Sequence, residues 1–298
     1  MKKLRVAIVS HNGLSFLKDC LASVHRAGIK DINVFDNASN DGTRDWILQD
    51  QKEVKLIISD KNRGFGSAAN QLMMEAIRQN TDYLLLLNQD TEIDALMISE
   101  LTKCFDEDPR MALVSPVHKT QGGNFEHEFK KNCDRLNIQL ESAPGLISVP
   151  FVNAACWLIN LKAVKEIGGF NPIFFMYGED LNYCHRAIHH GYKIGLCTKT
   201  SVIHKKVDGD YQSDLKKWCR VTSSFYLSKV LEPENFEGVA KILLRLMKRV
   251  VGSIIQFRFR MALVYICSSV RLCYLWPLLS TNRKKMSEKG AFLNSGKS

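Results

Sequence analysis

Tyr83-Leu84-Leu85-Leu86-Leu87-Asn88-Gln89-Asp90-Thr91 decides how this chain folds. Four leucines in a row leave no polar face, so the run reads as a strand buried on both sides. A carboxylate stands at the carboxyl end of that strand, where open α/β sheets bind ligands. A second acidic pair, Glu179-Asp180, follows Phe174, Phe175, Tyr177 and Gly178 far downstream. Two carboxylate sites facing one cleft suit metal-held phosphate at one and proton abstraction at the other.

Working outward, the apolar runs at 4–9, 32–35 and 54–58 read as three further strands. Helical periods fill 14–27 and 68–78, and Asp41 or Thr43 can cap a helix running to residue 48. Downstream, 96–105 reads as a helix, 111–117 as a strand, 149–159 as another strand and 161–167 as a short helix. Residues 180–190 read as a helix, and 193–197 and 201–204 as two short extended pieces. The polar stretch 119–142 reads as a loop or hairpin. Strands alternating with helices predict an α/β fold with a mostly parallel central sheet over residues 1–210.

The remainder differs in character. Residues 1–200 carry 23 Lys+Arg against 24 Asp+Glu, whereas 201–298 carry 18 against 7, so the net charge of +10 belongs to the C-terminal third. There, large aliphatic and aromatic residues alternate with Lys241, Arg245, Lys248, Arg249, Arg258, Arg260 and Arg271. The uncharged segment 261–270 is shorter than the roughly 20 apolar residues a span needs. Residues 211–281 therefore read as a basic amphipathic helical extension that lies on an anionic membrane surface, with packing on the catalytic part or another subunit as the alternative. Residues 282–298 read as a disordered tail. Cations set among aliphatics do not form a groove-binding face, which excludes nucleic acid as partner. The nine cysteines are scattered with no Cys-x-x-Cys, so neither a disulfide framework nor a zinc site is expected. The apolar run after Met1 is too short for a signal peptide, and a cytoplasmic location is expected.

Several motifs carry chemistry. Ser10 follows the first strand and is a candidate contact for the nucleotide sugar. Asp36-Asn37-Ala38-Ser39-Asn40-Asp41-Gly42-Thr43 follows the second, where Asp36 and Asn37 can hydrogen-bond a pyrimidine edge or form a plain Asx turn. Asn62-Arg63-Gly64-Phe65-Gly66-Ser67, with Asn70, opens a helix with a loop that lets backbone approach a nucleotide. It lacks the Gly-x-Gly-x-x-Gly fingerprint and follows strand three, which argues against an NAD enzyme. Asn88 can bond a ribose or sugar, and Asp90 can bind a divalent metal that bridges a diphosphate. Trp157 reads equally as a platform for an acceptor sugar or as a core residue. His204 ends an apolar run and, taken alone, reads as a buried structural histidine.

These motifs, in this order, resemble family 2 glycosyltransferases with the GT-A fold, and most of all their rhamnosyltransferase and galactofuranosyltransferase branch. The resemblance covers about residues 4–210. It implies inverting transfer of a sugar from a nucleoside diphosphate, with Mg²⁺ or Mn²⁺ as cofactor. It also implies that Asp36 reads the base, Asp90 and His204 hold the metal, and Asp180 is the catalytic base, with Glu179 orienting it or the acceptor. A hydrolase would need two carboxylates flanking the bond, and adjacent Glu179 and Asp180 do not supply that. The expected donor is dTDP-rhamnose, with UDP-sugars open. The expected acceptor is a lipid-linked or polysaccharide hydroxyl in bacterial surface glycan synthesis, at the inner face of the cell membrane. Asn88 departs from the usual first acid of the metal motif, which keeps alive a non-catalytic nucleotide-sugar-binding subunit of a synthase complex. A sugar-nucleotide pyrophosphorylase would want a glycine- and lysine-rich loop after strand one, and Ser10-His11-Asn12-Gly13 does not provide it. Homo-oligomerisation stays open.

Overall fold

The computed structural model describes residues 2–140, 142–143, 145–205 and 214–293. In chain order the first half runs β1 (Leu4–Ser10), α1 (Leu14–Arg26), β2 (Ile32–Asp36), α2 (Thr43–Asp50), β3 (Lys55–Ile58), α3 (Phe65–Arg78), β4 (Tyr83–Asn88), β5 (Thr91–Glu92) and α4 (Met97–Glu107). The second half continues β6 (Met111–Lys119), α5 (His127–Arg135), β7 (Leu146–Val149), β8 (Cys156–Asn160), α6 (Leu161–Ile167), α7 (Glu179–His189) and β9 (Lys193–His204). Three helices follow, α8 (Leu215–Val230), α9 (Val239–Ile255) and α10 (Phe259–Lys285).

All nine strands join one sheet in the order β3-β2-β1-β4-β8-β6-β9-β5, with β7 pairing on β9. The first four are parallel, as the alternating pattern predicts. From β8 onward the sheet is mixed, because β8 enters antiparallel to both β4 and β6 while β6 and β9 run parallel. The four leucines of β4 explain the layering. Leu84 and Leu86 point into one core with Leu72 and Met73 of α3 and Val164 of α6. Leu85 and Leu87 point into the other with Leu17 and Leu21 of α1 and Leu101 of α4. A strand covered on both faces has no use for polar alternation, and each fully buried leucine contributes about 1.5–3 kcal/mol.

Four readings of the sequence need correction. Residues 149–159 are not one strand: β7 ends at Val149 and β8 begins at Cys156, with Pro150, which has no N–H for a ladder, just after the break. Residues 193–204 form one strand rather than two pieces, with a register shift where β9 passes from Cys197 to Ser201 opposite Pro116 and Val117. Within 119–142 lies a helix, α5, whose inward face rests on Phe129 and Cys133 one turn apart. The fourth concerns residues 282–298. α10 runs to Lys285, and Met286, Ala291 and Phe292 are buried. Gly290 N–H donates to Glu166 O and Gly169 N–H to Ala291 O, both at 2.8 Å, which ties this segment onto the catalytic half. Residues 294–298, and the boundary expected at 210/211, lie outside the described residues.

The helical extension has its own core, in which Tyr226, Leu227, Ile242, Leu246 and Leu272 gather around Phe174. Its outer surface is apolar. On α9 the exposed residues Leu244, Met247, Val251 and Ile255 share a stripe, Phe257 in the turn is 81% exposed, and α10 adds Leu263, Ile266 and Val270. Among the described residues, α10 is one helix long and apolar enough to cross a membrane, with a mean hydropathy of 1.5 over its most apolar stretch. The uncharged run ends at Val270, but Arg271 is the one charge between Met261 and Asn282. That guanidinium folds back onto α8, donating to Ser223 Oγ at 2.7 Å and Ser224 Oγ at 3.2 Å.

Candidate active site

The carboxyl ends of β1, β2 and β4 lie side by side, with Ser10 opposite Asp36 and Val9 opposite Asn88. Asp36 is buried at the end of β2, and its carboxylate accepts from Ser39 N–H at 3.3 Å. The Asn37 side chain is turned onto the next loop: its Oδ1 accepts from Arg63 N–H at 2.8 Å and its Nδ2 donates to Asn62 Oδ1 at 3.0 Å. Arg63 stays at the rim, donating to Ser59 Oγ and Asp60 Oδ1 at 3.0 and 3.1 Å.

The glycine loop braces protein. Gly64 has φ +80°, and a Cβ there would stand 2.1 Å from Phe175 O. Phe65 N–H donates to that same carbonyl at 3.2 Å. Gly64 thus lets this loop close on the segment that leads into Glu179 and Asp180. Asn70 is likewise turned inward: its Oδ1 accepts from Phe170 N–H at 2.7 Å, and its Nδ2 donates to Phe170 O at 2.8 Å and Phe292 O at 3.3 Å. Its expected contact with nucleotide or sugar is corrected to a core staple, because a 2% exposed amide already bonded to three backbone atoms has nothing left to offer a ligand. Trp157 is corrected too. It lies mid-strand in β8 with 0% exposure, flanked by Phe170 and Tyr183 at ring distances of 5.9 Å, and cannot reach an acceptor.

At the end of β4, Gln89 folds back over β1, accepting from Ser10 Oγ at 2.8 Å and His11 N–H at 3.0 Å. The Ser10 hydroxyl, expected to meet the donor, is thereby engaged by protein. Asn88 N–H donates to Ala155 O at 2.9 Å, and Asn88 O accepts from Thr91 Oγ1 at 2.7 Å. This tight turn leaves Asp90 27% exposed. Because Thr91 pairs with His204 across β5 and β9, Asp90 Oδ1 comes within 3.4 Å of His204 Nε2. An oxygen and an imidazole nitrogen at that separation are the donor types Mg²⁺ or Mn²⁺ takes, so the pair fits a divalent cation. Burial would lower the His204 pKa, but the carboxylates of Asp90 and Glu126 outweigh it and raise it to about 9.

Glu126 and His118 escaped the sequence reading. His118 is the last residue but one of β6, which runs parallel to β9 with His118 opposite Val202, and Lys119 bridges Phe125 across a turn through Gly122 and Gly123. Glu126 N–H then donates to His118 O at 3.0 Å. Glu126 Oε2 lies 3.8 Å from both His118 Nδ1 and His204 Nδ1. The hairpin alternative for 119–142, with its turn placed at Thr120-Gln121-Gly122-Gly123, returns Glu126 to the strand end.

The acidic pair opens α7. Tyr177 and Gly178 both have positive φ, 69° and 84°, which turns the chain sharply into the helix. Asp180 accepts from Leu181 N–H at 2.8 Å and from the backbone N–H of Ala154. Ala154 is next to Ala155, the acceptor of Asn88 N–H, so Asp180 stands beside the end of β4. Burial raises the Asp180 pKa above the ordinary carboxylate range, against those N–H groups that hold it down. Glu179 points the other way, into the interior by Gly66, and burial with the Asp180 charge raises it strongly. One carboxylate, not two, therefore faces the strand ends.

Comparison with known proteins identifies the family and the fold. The family model described as glycosyl transferase family 2 matches residues 5–168. The low-salt glycan biosynthesis hexosyltransferase Agl10 of Haloferax volcanii is 26% identical over 211 residues, covering 68% of this chain and 67% of that protein. The N-acetylglucosaminyl-diphospho-decaprenol L-rhamnosyltransferase of Mycobacterium tuberculosis is 22% identical over 233 residues, covering 68% of this chain and 76% of that one. Among solved structures, the mannosyltransferase PcManGT from Pyrobaculum calidifontis, in complex with GDP-Man and Mn²⁺, superposes with a TM-score of 0.59 at 14% identity over 91% of this chain and 87% of its own. GalNAc-T7, crystallised with UDP, GalNAc and Mn²⁺, gives 0.57 at 16% identity over 76% of this chain. The chain spans about half (48%) of that structure's length. These neighbours share the GT-A fold.

Proposed function

We propose that this chain, which belongs to glycosyl transferase family 2, inverts the anomeric carbon of a sugar as it moves it from a nucleoside diphosphate to a hydroxyl of a lipid-linked or polysaccharide acceptor in surface glycan synthesis. The observation that carries this reading is a single carboxylate, Asp180, set beside the end of β4 where Asp90 meets His204. In this account the acceptor oxygen gives its proton to the Asp180 carboxylate and forms a bond to the anomeric carbon. The bond from that carbon to the diphosphate oxygen breaks on the opposite face, and nucleoside diphosphate leaves. One base on one side of an in-line displacement yields inversion. Asp90 and His204 would hold Mg²⁺ or Mn²⁺, whose charge offsets that of the departing diphosphate. Asp36 is assigned to the base of the donor, Arg63 and Asn88 to its rim, and Glu179 to supporting the Asp180 turn from behind.

Deoxythymidine-diphospho-rhamnose is the first donor to test. It rests on Asn88-Gln89-Asp90-Thr91, and the mycobacterial relative is a rhamnosyltransferase. The apolar outer face of α9 and α10, edged by Lys241, Lys248 and Arg258, supports peripheral attachment to an anionic membrane, where a polyprenyl-linked acceptor resides. The test is a panel of nucleotide sugars with membrane lipid extract, following nucleoside diphosphate release with Mn²⁺ and with EDTA. Release from one donor, abolished by EDTA, supports the reading. Donor binding without release under every acceptor mixture favours the non-catalytic subunit that Asn88 kept open.

A further inference from the structure

His204 has a side chain with two usable nitrogens, and the surroundings of the two differ. Nε2 faces Asp90, which is 27% exposed at the open end of β4. Nδ1 faces Glu126 Oε2 at 3.8 Å, and both Glu126 and the neighbouring His118 are buried. A diphosphate arriving from solvent can reach a cation on the Nε2 side and is shut out of the Nδ1 side. A histidine that ligates through Nε2 carries its proton on Nδ1 and needs an acceptor there.

We propose that Glu126 is the positioning residue for His204: its carboxylate, 3.8 Å from Nδ1, closes on the Nδ1 proton when the cation is held and so fixes the ring and tautomer that present Nε2 to the cation beside Asp90. The proposal rests on the assignment of Asp90 and His204 to a divalent cation. His118 completes the arrangement. Its Nδ1 lies 3.8 Å from the same Glu126 oxygen, its Nε2 is 3.0 Å from Ser115 Oγ, and its ring stacks on Phe129 at 4.7 Å. Glu126 itself is anchored by its backbone N–H on His118 O and occupies the N-cap position of α5, its carboxylate not spent on the helix. The carboxylate therefore stands between the packed His118 ring and His204, at the same 3.8 Å from each Nδ1. In this role Glu126 never touches donor or acceptor, and its effect on transfer passes through cation affinity.

The test is Mn²⁺ binding to the full chain, alone and with dTDP or UDP, by electron paramagnetic resonance of free Mn²⁺. Glu126→Gln should weaken binding about ten- to hundredfold. Glu126→Asp should fall between it and the wild type, and raised Mn²⁺ should restore nucleotide binding to Glu126→Gln. A purely structural role would not be rescued by the ion. Melting in EDTA keeps folding defects apart from cation effects. Wild-type Mn²⁺ affinity in Glu126→Gln overturns the proposal alone. Mn²⁺ binding that survives Asp90→Asn but is lost in His118→Gln also overturns it, because the cation would then lie on the buried face. Absence of Mn²⁺ binding by the wild type under both conditions removes the cation assignment and this proposal with it.

Discussion

Phe292→Ala should destabilise the catalytic half, although residue 292 lies more than a hundred positions beyond Asp180. Phe292 is buried, its carbonyl accepts from Asn70 Nδ2, and Arg186 stacks over its ring at 4.8 Å. Arg186 is itself fully buried in α7, donating to Gly169 O at 2.5 Å and to Ile167 O, and burial lowers its pKa to about 10. Removing a buried phenyl ring costs about 3–5 kcal/mol through lost transfer energy and the cavity left behind. Loss of the ring face beneath the guanidinium adds about 0.5–1 kcal/mol. Water entering beside Arg186 returns part of that, so the net expectation is about 3 kcal/mol. Phe292→Leu keeps most of the burial and loses the ring face, which should cost about 1 kcal/mol. Urea unfolding followed by tryptophan fluorescence reads the core directly, because Trp157 is buried in it. A loss below about 0.5 kcal/mol for Phe292→Ala, the range of ordinary surface changes, would refute the docking of this segment.

Gly64→Ala should cost about 2–3 kcal/mol and most of the transfer activity, since alanine disfavours φ +80° and its Cβ would collide with Phe175 O; melting and donor release check both. The raised pKa of Asp180 places the acid limb of kcat/KM above the usual carboxylate value of about 4. Activity should therefore fall as pH drops through that raised value, and a limb at or below 4 in a pH–rate profile would contradict it. Asp108 is held down to about 2 by Lys193 and by the N–H of Arg110. A depressed carboxylate stabilises above its unfolded pKa and loses that contribution as pH falls through the folded one. Asp108→Asn should thus cost about 1 kcal/mol at neutral pH, after allowance for solvent screening, and only a small fraction of that near pH 2, as urea titrations at both values would show.

The parallel half of the fold was legible because its determinants are local. The leucines at 84–87 and the apolar runs before them have one structural use, and the helices between them carry clear periods. The second half depends on long-range pairing. Nothing within 156–160 says that β8 must enter antiparallel between β4 and β6, and that insertion is what puts Trp157 in the core rather than in the cleft. Asp90, His204 and Asp180 could be picked out as candidates because Asp90 follows β4, His204 ends β9 and Asp180 stands in the first turn of α7. Glu126 and His118 were missed because their proximity to His204 comes from the register of β6 against β9, which no short motif carries. Asn37, Gly64 and Asn70 illustrate the converse. Their residue types suit a nucleotide loop, yet their bonds brace the protein behind it.

The central claim is that Asp180 is the base of a sugar transfer. It is tested most directly by supplying labelled nucleotide sugars and a polyprenyl-linked acceptor extract to the wild type and to Asp180→Asn. Donor binding is measured alongside transfer. The account predicts label passing from one donor into the lipid fraction with the wild type, and a loss of at least a hundredfold in Asp180→Asn while donor binding is retained. Transfer by Asp180→Asn at the wild-type rate would contradict it.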